Sequence, residues 1–169
     1  MANPEHLKLI KQGVDIWNAW REKCPEIHPD LSQADLRGVK LQKINLGNTN
    51  LKESKLQFSN LTGAQLGEAN LTKSKLQEAC LQSANMQSCN LSGAGMLESN
   101  LQYTNLENAN LEGVQFNEDT LLNQANLKGA NLNKAINVTC DQVMSAVIDR
   151  NTRLPDYIHL LESSQSIQK

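Results

Sequence analysis

An aliphatic or aromatic side chain recurs at every fifth position through most of the chain, and this spacing limits what the chain can fold into. The series runs Leu31, Leu36, Leu41, Leu46, Leu51, Leu56, Leu61, Leu66, Leu71, Leu76, Leu81, Met86, Leu91, Met96, Leu101, Leu106, Leu111 and Phe116. Five residues rotate an α-helix by about 500°, which would spread the series around the helix axis. In a flat strand the series would alternate between the two faces. All members point inward only if the chain turns once per five residues, as in a solenoid.

The residue before each member of the series indicates how many repeats make one coil. When these preceding residues are grouped at intervals of twenty positions, one group contains Asp30, Asn50, Asn70, Asn90 and Asn110. Another contains Asp35, Lys55, Lys75, Gly95 and Gln115. Because similar residues fall together at this interval, we predict four pentapeptides per coil and about five coils. At one strand spacing of about 4.8 Å per coil, the rod would be about 25 Å long.

Individual repeat units share a consensus, as in the stretches ADLRG, ANLTK, ANMQS, ANLEG and ANLKG. In these residues the chain resembles the pentapeptide-repeat family, whose consensus is A(D/N)LXX. The resemblance covers roughly residues 30–136. It implies an all-β solenoid, namely a right-handed parallel β-helix of square cross-section with four faces. Other members, many of them from cyanobacteria, act as regulatory or scaffold proteins, and most have no assigned role. The resemblance therefore also implies a regulatory or scaffold role.

The segment before the repeat is predicted to cap the first coil, since a solenoid end has unpaired backbone and an open core. Asn3 followed by Pro4 and Glu5 is typical of a helix start. We predict a single capping helix over residues 3–24, ending before Pro25. Its apolar face comprises Leu7, Ile10, Val14 and Trp17. A partner-binding helix is the alternative interpretation.

The segment after the repeat is predicted to form a second cap over residues 139–163, within one domain of 169 residues. Thr139 and Gln142 have the spacing of a capping box, which favours a short helix there. An extended stretch to Pro155 and a second short helix over Asp156–Ser163 are expected to follow.

The composition argues against several classes of protein. The net charge is −2, so no strong field favours direct binding to nucleic acid. The N-terminal stretch MANPEHLK lacks the pattern of a signal peptide. No apolar run approaches the roughly 18 residues of a membrane span. We therefore expect a cytoplasmic protein that contacts neither nucleic acid nor membrane.

The cysteines and histidines give no sign of a metal site or a catalytic centre. Cys24, Cys80, Cys89 and Cys140 form no CxxC pair and have no zinc-ligand spacing. We predict four free thiols, with Cys89 facing inward and Cys80 outward. The three histidines lie outside the repeat, whose side chains are mostly amides and hydroxyls that rarely act as general acids or bases. We therefore predict no enzymatic activity, no cofactor and no bound metal.

Charges on the repeat are segregated along its length. Residues 31–75 contain seven basic and three acidic side chains, and residues 76–127 contain six acidic and no basic ones. The rod is therefore expected to be a dipole along its axis.

One predicted face combines these charges with exposed apolar side chains. Its inward residues are Leu36, Leu56, Leu76, Met96 and Phe116. The candidate partner-binding residues are Arg37, Lys55, Phe58, Lys75, Glu78, Leu97, Glu98, Glu118, Asp119 and Leu121. The three glutamates stack at intervals of one coil, and like charges about 4 Å apart repel by roughly 1 kcal/mol in water. A partner or a cation would offset this repulsion, and side chains spreading into solvent are the alternative.

The count of five fails once, because one extra residue lies between Phe116 and Leu127. If Leu121 pointed inward, Asp119 would take the small inward position and bury its charge, which costs several kcal/mol. With Leu122 inward, Thr120 takes that position instead. We therefore predict an outward bulge at residues 117–119, with Leu121 exposed. The bulge is either a tolerated insertion or a binding feature, and deleting Asp119 is expected to leave the fold intact.

Two functions are compatible with these features. The first is a non-enzymatic interaction or scaffold module that binds an unknown protein partner, as a monomer or a weak homodimer. The second follows from the family resemblance, because some members protect DNA gyrase by mimicking the shape and charge of DNA. Such mimicry requires a strongly acidic rod, whereas the first half of this rod is basic.

Overall fold

A computed structural model describes residues 1–159 of the chain. From Asp30 onward the backbone coils as a solenoid, and successive coils are joined by parallel β-bridges between single residues. From the bridge Asp30–Asn50 to the bridge Gly95–Gln115 the partners are 20 residues apart, which matches the predicted coil of four pentapeptides. Coils 1 to 4 therefore span residues 30–49, 50–69, 70–89 and 90–109, and coil 5 spans residues 110–130.

The bridges fall into four columns, and we call each column with its outward side chains a face. Face A contains Asp30, Asn50, Asn70, Asn90, Asn110, Asn131 and Arg153. Face B contains Asp35, Lys55, Lys75, Gly95, Gln115 and Ile136. Face C contains Lys40, Asn60, Cys80, Asn100 and Leu121. Face D contains Asn45, Gln65, Asn85, Asn105, Asn126 and Val147.

A tight turn at each corner explains why the chain changes direction every five residues. At one corner the amide of Ala79 donates to the carbonyl of Leu76 at 3.0 Å, and Glu78 between them has φ +56°. This combination is that of a type II turn, which requires a positive φ at its third residue. Every regular corner from residue 33 to residue 113 has a positive φ at this position. A residue other than glycine there costs roughly 1–2 kcal/mol, which the core must offset.

The interior consists of the five-residue series together with the small residues between its members. The leucines of the series are at most 1% exposed. The small inward positions hold mainly alanine, serine and threonine, and Ser59 satisfies its hydroxyl by donating to the Leu56 carbonyl at 2.7 Å. Burial of this series is the main stabilising contribution, at about 1.5–3 kcal/mol for each large apolar side chain.

Faces A and D carry ladders of hydrogen-bonded side-chain amides. On face A, Asn110 donates to Asn90 at 3.4 Å and Asn131 donates to Asn110 at 3.2 Å. On face D, Asn105 donates to Asn85 at 3.3 Å. These ladders satisfy the outward side chains within the rod itself. On faces B and C no bridged pair within residues 1–159 is joined by a side-chain hydrogen bond.

The N-terminal cap consists of two helices, α1 over Pro4–Lys11 and α2 over Val14–Lys23, so the predicted single helix is wrong. The helix breaks at Gly13, whose φ is +111°, and glycine is a poor helix former. Asn3 caps α1 as expected, accepting the Glu5 amide at 2.9 Å. The buried Trp17 of α2 donates its indole N–H to the Asn45 carbonyl at 2.6 Å.

The C-terminal cap replaces one side of the last, incomplete coil. Helix α3 spans Cys140–Ser145, between Ile136 on face B and Val147 on face D, so it stands where face C would continue. The predicted capping box is present, with Thr139 and Gln142 exchanging hydrogen bonds of 2.9 and 3.2 Å. The predicted helix over residues 156–163 is not seen in residues 156–159, which form a turn and loop, and residues 160–163 lie outside the described part.

The bulge forms where the sequence predicted it. Thr120 and Leu122 are each 1% exposed, and Leu121 is 40% exposed. Leu121 bridges Asn100, which is 21 residues earlier. The additional residue thus changes the spacing of bridged partners from 20 to 21 residues. Leu122 and the leucines that follow it therefore remain in the core.

Candidate functional site

Face B brings together the basic candidate residues in coils 1 to 3. Lys55 bridges Asp35 on one side and Lys75 on the other, so the two lysines are direct neighbours. Both are exposed, and neither has an ion-pair partner within residues 1–159. Two adjacent ammonium groups without a partner are available to an anionic group of another molecule.

Arg37 is already paired, which the sequence analysis missed. Its guanidinium donates two hydrogen bonds to the Asp35 carboxylate, from Nε at 2.8 Å and from Nη2 at 2.6 Å. These bonds, mainly, lower the pKa of Asp35 to about 2. Both side chains remain about half exposed. Arg37 is therefore a weaker candidate for partner binding than Lys55 or Lys75.

The titration of Asp35 provides a first prediction. Its NMR midpoint is expected at about 2 in the folded protein, and Arg37→Ala should return it toward the ordinary aspartate range near 3.9. Because the folded-state pKa lies below the unfolded one, the contribution of this group to stability is present above pH 4 and is lost as pH falls toward 2. A midpoint that Arg37→Ala leaves unchanged would contradict the pairing.

The corner between faces B and C carries the acidic candidates. Phe58, Glu78 and Glu98 occupy its third turn position in coils 2 to 4, with φ between +56° and +62°. Glu118 and Asp119 are exposed in the bulge of coil 5, where no residue from 117 to 120 has a positive φ. The structure therefore places the acidic candidates in one row along this corner, and Phe58 begins the row.

Phe58 and Leu97 differ in exposure. Phe58 is 58% exposed in a backbone conformation that bulky residues rarely adopt. Leu97 was expected to be exposed, but it is half-buried. It occupies the second position of the corner turn from Met96 to Ser99, whereas Phe58 occupies the third position of its turn. Phe58 is therefore the stronger apolar candidate.

A group of polar side chains between the lysines and glutamates was also missed. In coil 3 the Gln77 amide fills the space above Gly95, such that a Cβ built on Gly95 would lie 2.4 Å from Nε2 of Gln77. The Oε1 atoms of Gln57 and Gln77 are buried without a hydrogen-bond partner in the described structure. Gly95, the one glycine in the face B column, was the only sequence signal of this arrangement.

The bulge is held by the C-terminal helix. In regular coils the corner amide donates to a backbone carbonyl of the next coil, as Glu78 does to Leu97 at 2.9 Å. Here the Glu98 amide donates to the side chain of Asn117 at 2.8 Å. The Asn117 carbonyl is thereby available to accept from Nε2 of Gln142 at 2.7 Å. Gln142 also donates to the Thr120 carbonyl at 2.8 Å. The bulge thus connects the rod to its cap.

Within residues 1–159 the candidate residues form no metal-binding group, and an open cavity of about 410 Å³ is lined by Asn117 and Glu118. Among residues 1–159, no three His, Cys, Asp or Glu side chains are grouped so that they could hold a metal ion. The predicted row of glutamates is therefore not arranged as a cation site. An open cavity of about 420 Å³ lies at the C-terminal end, lined by residues such as Ile136, Pro155 and Tyr157, away from the lysines.

The four cysteines are free. Cys89 is 1% exposed, and burial raises the pKa of its thiol to about 12. Cys80 is half-buried on face C, with its sulfur 3.2 Å from the Thr62 hydroxyl. The predicted inward and outward orientations of these two residues are confirmed.

The three helices within residues 1–159 lack the length and apolar character needed to cross a membrane.

The chain is similar to several proteins of known structure. It is similar to the pentapeptide repeat protein Rfr23 from the cyanobacterium Cyanothece 51142, with 22% identity over 81% of this chain and 97% of that chain and a TM-score of 0.35. A pentapeptide repeat protein from Nostoc PCC 7120 shares 25% identity over 84% of this chain and 87% of that chain, with a TM-score of 0.33. A trypsin-treated form of QnrB1, a plasmid-mediated fluoroquinolone resistance protein, shares 12% identity over 73% and 80%, with a TM-score of 0.43.

Family comparison gives the assignment. No significant match was found among curated proteins. The sequence profile named Pentapeptide repeats matches residues 30–66, 54–93 and 89–118. The match covers more than half of the chain and coincides with the bridged coils. The protein therefore belongs to the pentapeptide-repeat family.

Proposed function

We propose that the protein is a non-enzymatic interaction module that binds a protein partner through face B and its corner with face C. The observation that carries this proposal is that Lys55 and Lys75, which have no ion-pair partner within residues 1–159, lie beside the row formed by Glu78, Glu98 and Glu118. The proposal includes the family's right-handed helix of square cross-section, and the four bridge columns at five-residue spacing in coils 1 to 4 support the square cross-section.

The cost of this arrangement supports a role in binding. Bridged lysines place two like charges on neighbouring strands, about 4.8 Å apart at the backbone. On faces A and D the corresponding positions hold asparagines that bond to each other. A partner with an acidic group opposite the lysines and a basic group opposite the glutamates would relieve both repulsions. Charge complementarity of this kind favours specificity and rapid association.

Phe58 supplies an apolar contact next to these charges. Phe58 is more than half exposed, so burial does not explain a phenylalanine there. Its positive φ is one that bulky residues rarely adopt, so backbone preference does not explain it either. Aromatic residues are enriched at protein interfaces. We place Phe58 near the centre of the proposed contact, with Leu121 and Asp119 at its C-terminal limit.

Affinity capture from the native cell, followed by mass spectrometry, tests the proposal. The Lys55→Glu, Lys75→Glu variant should lose the partners that the wild type captures, and Phe58→Ser should weaken them. A matched control is Lys52→Glu, Lys73→Glu, which reverses two exposed charges in the same coils at the corner between faces A and B. Equal recovery of the same partners by all forms would remove face B as the binding surface.

A DNA-mimicking modulator of gyrase is the second hypothesis. The six acids and absence of bases in residues 76–127 favour it, and the seven basic side chains in residues 31–75 oppose it. A supercoiling assay with purified gyrase is expected to show no effect at micromolar protein. Inhibition of supercoiling, or protection of gyrase, at that concentration would favour this hypothesis over the first.

A further inference from the structure

Face C and its corner with face D carry no charged side chain in coils 2 to 5, whereas the acidic row lies at its corner with face B. The outward and corner residues on this side are Asn60, Thr62, Gly63, Cys80, Gln82, Ser83, Asn100, Gln102, Tyr103, Leu121, Asn123 and Gln124. In coil 1 the same positions include Lys40 and Lys43. Depletion of charge is typical of the centre of a protein interface, because charged groups are costly to desolvate.

Exposed aromatic and aliphatic residues lie on and around this uncharged surface. Tyr103 is 60% exposed at the corner between faces C and D, with φ +59°. Phe58 lies at the opposite corner, and Leu121 is 40% exposed on the face itself. Tyr103, like Phe58, is bulky and occupies a left-handed position, so neither the backbone nor the core favours it there. Both corners of face C therefore carry an aromatic side chain that folding does not explain.

The chemistry of face C suits a second copy of the same surface. An uncharged polar face is complementary to another uncharged polar face, and a two-fold pair places identical patches in contact. The distribution of charge decides the orientation. A parallel pair would bring Lys40 of both copies together, whereas an antiparallel pair brings Lys40 of one copy beside Glu118 and Asp119 of the other.

We propose that two copies of this chain pair antiparallel through face C, with the two-fold axis at coil 3. Coil 2 of one copy then lies against coil 4 of the other, so that Tyr103 comes opposite Gly63. The two Cys80 residues face each other at the axis, next to the two Gln82 residues. The pairing leaves Lys55 and Lys75 of face B exposed, but it covers Leu121 and the corner that carries Phe58 and Glu78. The second copy and the proposed partner therefore share this corner.

The size of face C indicates a weak pair. Five coils at about 4.8 Å and five residues at about 3.3 Å give a surface of roughly 24 by 16 Å. This is about half of the roughly 800 Å² that each partner buries in a stable interface. Dimer formation should therefore depend on concentration over the micromolar to millimolar range.

Sedimentation velocity of the full chain over this range tests the pairing. Gln82→Lys places two ammonium groups at the axis and should weaken the dimer by about tenfold or more. Gln87→Lys is the matched control, since it changes the equivalent position of face D in the same coil, and it should leave the dimer unchanged. A monomer at about 1 mM, or equal weakening by both variants, would overturn the proposal.

Two further variants test the antiparallel register. At the axis, the two Glu78 side chains share a corner, so Glu78→Gln should strengthen the dimer severalfold. In a Cys24→Ser, Cys140→Ser background, a short bismaleimide should join Cys80 to Cys80. Moving the thiol to face D, with Cys80→Ser and Gln87→Cys, should reduce the cross-linked product severalfold. Equal cross-linking from both faces, or a dimer that Glu78→Gln leaves unchanged, would contradict this register.

Discussion

Replacing Trp17 with alanine is expected to lower the free energy of unfolding by about 3–5 kcal/mol, as for other buried tryptophans. Trp17 is fully buried and packs against Trp20, with ring centroids 5.2 Å apart. Its indole also satisfies the Asn45 carbonyl at the edge of coil 1. The substitution therefore removes apolar contact from the end of the core and leaves that carbonyl without its donor.

Urea unfolding followed by circular dichroism would measure this loss. Ile16→Ala is the control, because Ile16 is adjacent in α2 but 47% exposed, and its replacement should cost no more than about 0.5 kcal/mol. Similar losses from both substitutions would show that α2 does not close the core as described.

Replacing Gln142 with alanine is expected to cost about 2–4 kcal/mol, the second largest effect. The side chain accepts the Thr139 amide and donates to the carbonyls of Asn117 and Thr120. Each buried polar group that loses its partner costs about 1–3 kcal/mol. The loss should appear locally, as faster hydrogen exchange at the Thr120 amide, with little change in coils 1 to 3. Met144→Ala, at a 49% exposed position of the same helix, should cost far less.

The bonds to Gln142 also alter what we expect when Asp119 is deleted. The sequence alone predicted that the fold would remain intact. Coils 1 to 4 should indeed stay folded, but removing the extra residue displaces the two carbonyls that hold α3. The deletion should therefore release the C-terminal cap. If the deletion leaves the protection of α3 from hydrogen exchange unchanged, the bulge does not hold the cap and is a tolerated insertion.

The coils were predictable because a single spacing of five residues determines them. The register at the bulge was also predictable, since only one alternative avoided burying Asp119. Periodicity says nothing about the conformations of outward side chains, however. The Asp35–Arg37 pair and the packing of Gln77 over Gly95 depend on those conformations. They became visible only in the structure.

The N-terminal cap shows a different limit. The apolar spacing of Leu7, Ile10, Val14 and Trp17 continues through Gly13, so the pattern favoured one helix. The same spacing arises when two short helices pack on one surface, and only the backbone at Gly13 distinguishes the two cases. Face C was overlooked for a related reason, because a surface without charge leaves no motif in a sequence.

The register of the coils is the central claim, since it determines which residues share a face and supports both proposed interfaces. Backbone NOEs between neighbouring coils measure it directly. They should join residues 20 apart up to coil 4, as in Asn60–Cys80, and residues 21 apart across the bulge, as in Asn100–Leu121. Contacts that remain 20 apart beyond Asn100, joining it to Thr120, would contradict the account.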